Sequence, residues 1–377
     1  MGIIVNLYLW MFPLLLIFQS VLSSQKRQYV SANNELNQPL NYDLADDYRV
    51  NLGFALLLFL PFVFIAANRG ETFGDSSSYG MFFWSCPGSL SGFSVSPDDR
   101  SPLFTFFTIL IKQFVGWNVS AYFGVIAAVS AFCLALNFRR HSADIVLCAF
   151  FFLTADFQGW MCNGIRQFLV VTIMFALTPL LISKKISKIA VFIVVGVILF
   201  YVHVSVIVAL PIFLISLGKP MNKRTLFLLG LIALAIVFVG QFTGLLADTL
   251  EGTNYERSAA EITSTTNGTN ILRVLFFSIP TVLLIIFRKK IPAYTSPIIS
   301  FSINASLIGT GFYVLSAFTN GVSIGRMPIY FTLYNYFLIP WEIKTFFKKE
   351  SQQMALYIFT AVYSIYYIYQ MWTWGLV

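Results

Sequence analysis

Residues 145–182 read IVLCAFFFLTADFQGWMCNGIRQFLVVTIMFALTPLLI. One apolar run, Ile145 to Phe157, ends, and another, Phe168 to Ile182, begins. Between them stand Asn163-Gly164-Ile165-Arg166-Gln167. Apolar runs of this kind without strict alternation read as membrane helices, because spanning backbone must satisfy its own hydrogen bonds and barrel strands alternate. An arginine inside such a helix is costly, roughly 2.5–3.5 kcal/mol at the centre on insertion scales. Two readings of Arg166 stand. Either its long stem snorkels to the headgroups, or its guanidinium meets an anion in a watery cavity.

The whole chain extends this pattern. Of its 377 residues 58% are hydrophobic and 11% charged, against about 25% charged in soluble domains. It therefore reads as one all-α polytopic membrane domain over 1–377, not a globular protein with an anchor. The net charge of +8 falls in short clusters between apolar runs, which fits the positive-inside rule and not nucleic-acid binding. Cys86, Cys133, Cys148 and Cys162 lack metal-ligand spacing and read as small hydrophobes, with a Cys86–Cys162 pairing as an alternative. No P-loop, GxGxxG context or acidic metal-binding cluster is present, so neither cofactor nor metal is expected.

Charge placement sets the expected topology. Met1 to Ser24 reads as a first span with its N-terminus outside, since it lacks a basic leader and exceeds a signal-peptide core. The stretch 68–118 reads as an extracytoplasmic loop, and 103–115 inside it as a short interfacial helix. Were 103–115 a span, Arg139 and Arg140 would fall outside. The run Ile189 to Leu217 is about one and a half spans long. As a single span it would put Lys219, Lys223 and Arg224 outside. As two short helices meeting near His203 it keeps them inside. A second outer loop is expected over 247–270. The result is about 12 passes, two of them short and broken. The basic residues left outside are Arg69, Arg100, Lys112, Arg166, Arg257, Arg273 and Arg326. All but one are Arg, whose planar fork suits phosphate or carboxylate.

Several residues could carry chemistry. Arg69 and Asp75 bracket a glycine-bearing turn, read either as an ordinary loop or as an anion-binding Arg beside a carboxylate that takes a hydroxyl proton. His203, within Tyr201-Val-His203-Val-Ser205, is either a structural hydrogen-bonding group or a general base or substrate contact. Arg326 stands at the outer end of a span, before Met327-Pro328-Ile329-Tyr330-Phe331. The triplets at Asn118, Asn267 and Asn304 match a glycosylation pattern common by chance and carry no weight.

Taken in order, these pieces resemble the Wzy-type polysaccharide polymerases, in particular the EpsG-like branch. The matching pieces are Arg69 through Gly74-Asp75 to Tyr79, Ser101-Pro102-Leu103-Phe104, Asn163 to Gln167, the basic cluster at Lys184, His203-Val-Ser205 with Pro211, and Arg326 with Tyr330-Phe331 and Pro340. The family often has Glu before the Pro-Leu-Phe-like segment, where this chain has Ser101. The resemblance implies a bacterial inner-membrane glycosyltransferase that joins undecaprenyl-diphosphate-linked repeat units at the outer face, building O-antigen, capsule or exopolysaccharide. Its partners would be lipid-linked donor and acceptor glycans, membrane lipid and a chain-length regulator. On that reading Arg166, Arg326 and Arg69 grip the diphosphate, and Asp75 or His203 takes the proton. Asn163 and Gln167 fix Arg166 or contact sugar, and Tyr79 and Tyr330 line the substrate site. The rivals are a lipid-linked sugar flippase and a membrane acyltransferase.

Overall fold

The computed structural model describes residues 2–34, 48–95, 99–142, 144–250, 268–319, 321 and 324–376. Among them the secondary structure is helical, without a strand. In chain order the helices are α1 (Gly2–Asn34), α2 (Leu52–Ala67), α3 (Ser76–Ser85), α4 (Pro102–Val115), α5 (Val119–His141), α6 (Ile145–Ala155), α7 (Ile165–Ala176), α8 (Thr178–Ile182), α9 (Ile186–Phe200), α10 (Val206–Ile215), α11 (Lys223–Val237) and α12 (Val239–Leu250). There follow α13 (Ile271–Ile286), α14 (Pro297–Ala317), α15 (Ile329–Thr332), α16 (Asn335–Phe346) and α17 (Lys349–Thr373). Helices α5 and α14 are each long and apolar enough to cross a membrane, and α2, α4, α6, α7, α9, α10 and α13 are shorter apolar helices. Most of the expected second outer loop lies outside the described residues, which resume at Gly268.

The chain divides into two compact units. The first holds Met1–Val95, Ser101–Thr178 and Thr360–Val377, and the second holds Ser96–Arg100 and Pro179–Phe359.

In the first unit α5 packs along α2 and α7. Helices α2 and α5 run antiparallel: Arg139 Nε donates to the carbonyl of Val50 (2.6 Å), just before α2 begins, while Gly124 faces Ala67 at its end. The two ends differ in chemistry. At one, Arg49 Nε donates to the Arg140 carbonyl, and Lys26 lies 3.9 Å from Asp144. At the other, Arg69 stacks on Phe123 near the start of α5. The core is aromatic: Phe62 packs on Phe152 and Phe157, and Phe152 stacks on Phe168 at 5.8 Å.

The stretch expected as a polar loop after Asn68 contains a helix, α3. Its Gly- and Ser-rich composition hid it, and tertiary packing supplies the stability that propensity lacks. Phe83 is fully buried and stacks on Tyr122. Lys112 of α4 explains why α3 ends where it does. Its ammonium donates to the carbonyls of Phe83 (2.9 Å), Trp84 (3.0 Å) and Cys86 (2.6 Å) and lies 3.8 Å from the Trp117 ring. These are carbonyls that a helix leaves without intrahelical donors. Lys112 is thus a buried cap rather than a free outer charge. Lys112→Met strips those carbonyls of their donor and is expected to lower stability by about 2 kcal/mol. Thermal unfolding in detergent would show it, and an unchanged melting temperature would mean that the cap contributes nothing.

In the second unit the long apolar run breaks at 201–205 into α9 and α10. The two fold back on each other, with Leu210 seated over Gly196. Asn304 of α14 holds the turn after α10, accepting from the Met221 amide and donating to the carbonyls of Ser216 and Lys219. Its glycosylation-like triplet is therefore buried structure. Asn118 caps α5 through the Ala121 amide, and Asn267 lies outside the described residues. Hydroxyls of Thr281, Ser306 and Thr310 tie α13 to α14, the kind of polar contact that joins helices in lipid. All four cysteines are buried, and none is in a disulfide, so the alternative Cys86–Cys162 pairing is not formed.

Candidate functional site

Helix α6 does not run smoothly into the Asn163 motif. After Ala155 the chain widens into a π-helical turn over Phe157–Met161, a local insertion common at functional sites. Such a turn releases backbone carbonyls that need new donors. Gln370 of α17 supplies them, its amide donating to the carbonyls of Thr154 (2.8 Å) and Ala155 (3.2 Å). Phe157 is locked beneath by Phe62, and Asn163 to Gln167 then occupy a turn and the first turn of α7.

The motif meets the Arg69–Asp75 loop across 88 residues of sequence. Asn163 Oδ1 accepts from the Asp75 amide at 2.7 Å. Gly74 makes this possible. Its φ is +52°, where a side chain is strained, and a Cβ there would lie inside the Asn163 carboxamide. Asn163 therefore fixes the backbone that carries Asp75. The Asp75 side chain is half-buried.

Arg166 is half-buried. Its Nη1 donates to Ser101 Oγ at 2.6 Å, and its guanidinium lies 5.9 Å from the Phe104 ring. Its Nε is buried without a hydrogen-bond partner among the described residues. Ser101, which stands where the resembled pattern often has Glu, is thus the neutral partner of this cation. Phe104 is also flanked by Phe82, stacked at 5.7 Å, and by Tyr79 at 6.2 Å. The structure thus links Asp75 to Asn163, and Arg166 to Ser101 and Phe104, in the first unit. Gln167 is buried beside them in sequence.

Arg69 has a more structural setting. It is buried, with Nη1 on the Ala66 carbonyl (2.7 Å), Nε on Ser76 Oγ (2.9 Å) and its guanidinium 3.6 Å over Phe123. It ties the end of α2 to the start of α3, and so holds the base of the Asp75 loop.

The second unit holds the other expected residues. His203 lies in the turn between α9 and α10. Its Nδ1 is 2.8 Å from Ser205 Oγ, and Ser205 Oγ is 2.9 Å from Tyr330 Oη. Tyr330 is 1% exposed, so the ring backs this chain of contacts. Arg326 ends a short helical turn, Ile324–Arg326. That turn packs on the segment entering α13: Thr269 pairs with Ser316 through both backbone and hydroxyl, and Gly325 lies against Thr269. At Gly268 a Cβ would run into the Ala317 backbone, so only glycine fits.

Glu342 on α16 escaped the sequence reading. It is fully buried, and neither carboxylate oxygen has a hydrogen-bond partner among the described residues. Its signal was an acid inside the apolar run from Met327, masked by the neighbouring lysines. Among the described residues no group of three or more His, Cys, Asp or Glu gathers as metal ligands do.

A family model described as the EpsG family matches residues 52–376, from the first residue of α2 to near the end of the chain. The chain belongs to that family, which associates it with exopolysaccharide synthesis at a membrane. No curated protein and no solved structure matches it.

Proposed function

We propose that this member of the EpsG family is a polymerase of undecaprenyl-diphosphate-linked repeat units, working at the outer face of the bacterial inner membrane. The observation that carries the reading is the setting of Arg166. A guanidinium stands half-buried at the start of α7, hydrogen-bonded to the neutral Ser101, with an Nε donor that has no acceptor among the described residues. An anionic ligand would complete it, drawn also by the positive end of the helix.

In the reaction, a hydroxyl oxygen of the acceptor unit's non-reducing sugar attacks the anomeric carbon of the donor chain. The bond from that carbon to the diphosphate oxygen breaks. Its electron pair leaves with undecaprenyl diphosphate, and the hydroxyl proton passes to a base. Arg166 neutralises the charge that grows on the diphosphate as the bond breaks. Asp75 takes the proton. Asn163, Gly74 and Arg69 hold the Asp75 loop, and Tyr79, half-buried against Phe104, offers an aromatic face to sugar. These side chains suffice for the charge and proton changes, so the reading includes no metal.

Twelve passes, with α9 and α10 the short pair, place the Arg166 end of α2 and α5 outside and the end with Arg49, Arg139 and Arg140 inside. The positive-inside rule supports this orientation.

Deleting the gene and displaying the surface glycan by size tests the reading. The expected result is an acceptor carrying single repeat units in place of a ladder. Absence of even single units, with lipid-linked units held on the inner face, would replace the polymerase with a transporter.

A further inference from the structure

The last turns of α17, which belong to the first unit, touch both the π-helical turn and the Asp75 loop. Tyr363 packs on Phe151 of α6 at 4.6 Å and Tyr367 on Phe12 of α1 at 5.1 Å, so the helix is anchored before it reaches them. Gln370 then caps the carbonyls of Thr154 and Ala155, and Met371 Sδ accepts from Gln158 Nε2 at 3.6 Å. One turn further, the Trp374 ring stacks on Phe73, with centroids 4.9 Å apart and planes 27° from parallel. Phe73 is buried and directly precedes Gly74. The helix end fixes the indole in turn. Gly375, at φ +63°, donates its amide to the Trp372 carbonyl (3.0 Å), and the Leu376 amide donates to the Met371 carbonyl (2.9 Å), the paired bonds of a glycine-ended helix. Tryptophan is common at membrane interfaces without further purpose. Trp372, 66% exposed, fits that description. Trp374 is half-buried on the loop instead.

We infer that Trp374 is a positioning residue, which clamps the Asp75 loop onto the end of α17 through Phe73. Two grips then flank Gly74. Asn163 holds the Asp75 amide on one side, and Trp374 holds the Phe73 ring on the other. Both grips run back to the π-helical turn, Asn163 by following it in sequence and α17 through Gln370 and Met371. The same turn leads into Arg166. The clamp therefore sets where the Asp75 carboxylate stands relative to that guanidinium. Its part in the reaction rests on the polymerase reading, and its part in the loop does not.

Hydrogen exchange of the full-length protein in lipid nanodiscs, without substrate, reads the loop directly. The amides of Phe73, Asp75 and Ser76 are hydrogen-bonded, to the Gly70 carbonyl, Asn163 Oδ1 and the Phe73 carbonyl, so segment 70–79 has protection to lose. Trp374→Ala should speed exchange there about fivefold, the worth of an aromatic pair, while α5 keeps the parent's rate. With a synthetic undecaprenyl-diphosphate-linked repeat unit as substrate, kcat should fall by about the same factor and KM should not change, since Trp374 acts through the loop. Trp374→Phe, which keeps a ring on Phe73, should restore most of both. Phe73→Ala should match Trp374→Ala, and the double variant should be no worse than either alone. Trp372→Ala should leave exchange and rate at parent values. Should Trp374→Ala not accumulate, Trp374→Leu keeps the apolar bulk without the flat face and carries the same expectation. Exchange over 70–79 at the parent rate in the Trp374 variant would overturn the inference, and so would a loosened loop with kcat unchanged. A parent that makes no polymer while its variants show the expected exchange refutes the polymerase reading alone.

Discussion

Arg166→Ala is expected to lower polymer formation by about 10²–10³-fold, the usual loss when a preorganised electrostatic donor is removed, while the protein still accumulates and inserts. The asymmetry follows from the contacts. For the fold, Arg166 supplies one hydrogen bond to Ser101 and a distant approach to Phe104, worth on the order of 1 kcal/mol. For a diphosphate it supplies a full charge and a planar fork. Arg166→Lys keeps the charge but loses the fork, and should remain at least about tenfold impaired. Ser101→Ala removes only the neutral partner and should cost a few-fold at most. Glycan length and amount, normalised to protein level, measure all three. If Arg166→Ala makes normal polymer, Arg166 is a snorkelling interfacial residue.

Gly74→Ala should be nearly as damaging, for a different reason. The left-handed backbone at residue 74 costs an alanine about 1–2 kcal/mol, and the new Cβ would displace the Asn163 carboxamide. The Asp75 amide then loses its acceptor, and the carboxylate shifts with its loop. The helices beneath are untouched, because Gly74 is exposed and lies between α2 and α3. The expected outcome is a polymer yield down by at least about tenfold with a melting temperature close to the parent's. Asn163→Ala should give the same pattern in milder form, since it removes the acceptor without forcing the backbone. A Gly74→Ala protein with full activity would show that the register of the Asp75 loop does not matter to the reaction.

What the sequence disclosed and what it hid divide along one line. The break at His203 was legible, because charge at Lys219, Lys223 and Arg224 makes a single long span inconsistent. The Asn163–Gln167 motif stood out because polar residues in apolar surroundings are costly. Contacts between distant segments were not legible. Nothing in the order of residues says that Asn163 accepts from Asp75, that Gln370 caps the end of α6, or that Lys112 caps α3. Each of these side chains is explained by a backbone group far away in sequence. The same blindness hid that Arg69 is buried against Phe123 and Ala66 and ties the end of α2 to the start of α3. It also hid that Ser101, a departure from the resembled pattern, is a hydrogen-bond partner of Arg166. Composition offered no boundary between the two units either, since apolar helices make up both.

The most direct measurement is polymerisation by the purified full-length protein in nanodiscs. The substrate is a synthetic undecaprenyl-diphosphate-linked repeat unit, with a chelator present and no other protein. The expected result is a ladder of products rising by one repeat, with one undecaprenyl diphosphate released for each bond formed, and no ladder from Arg166→Ala. Intact starting material in every preparation, with the parent protein folded and the native repeat supplied, would contradict the central claim.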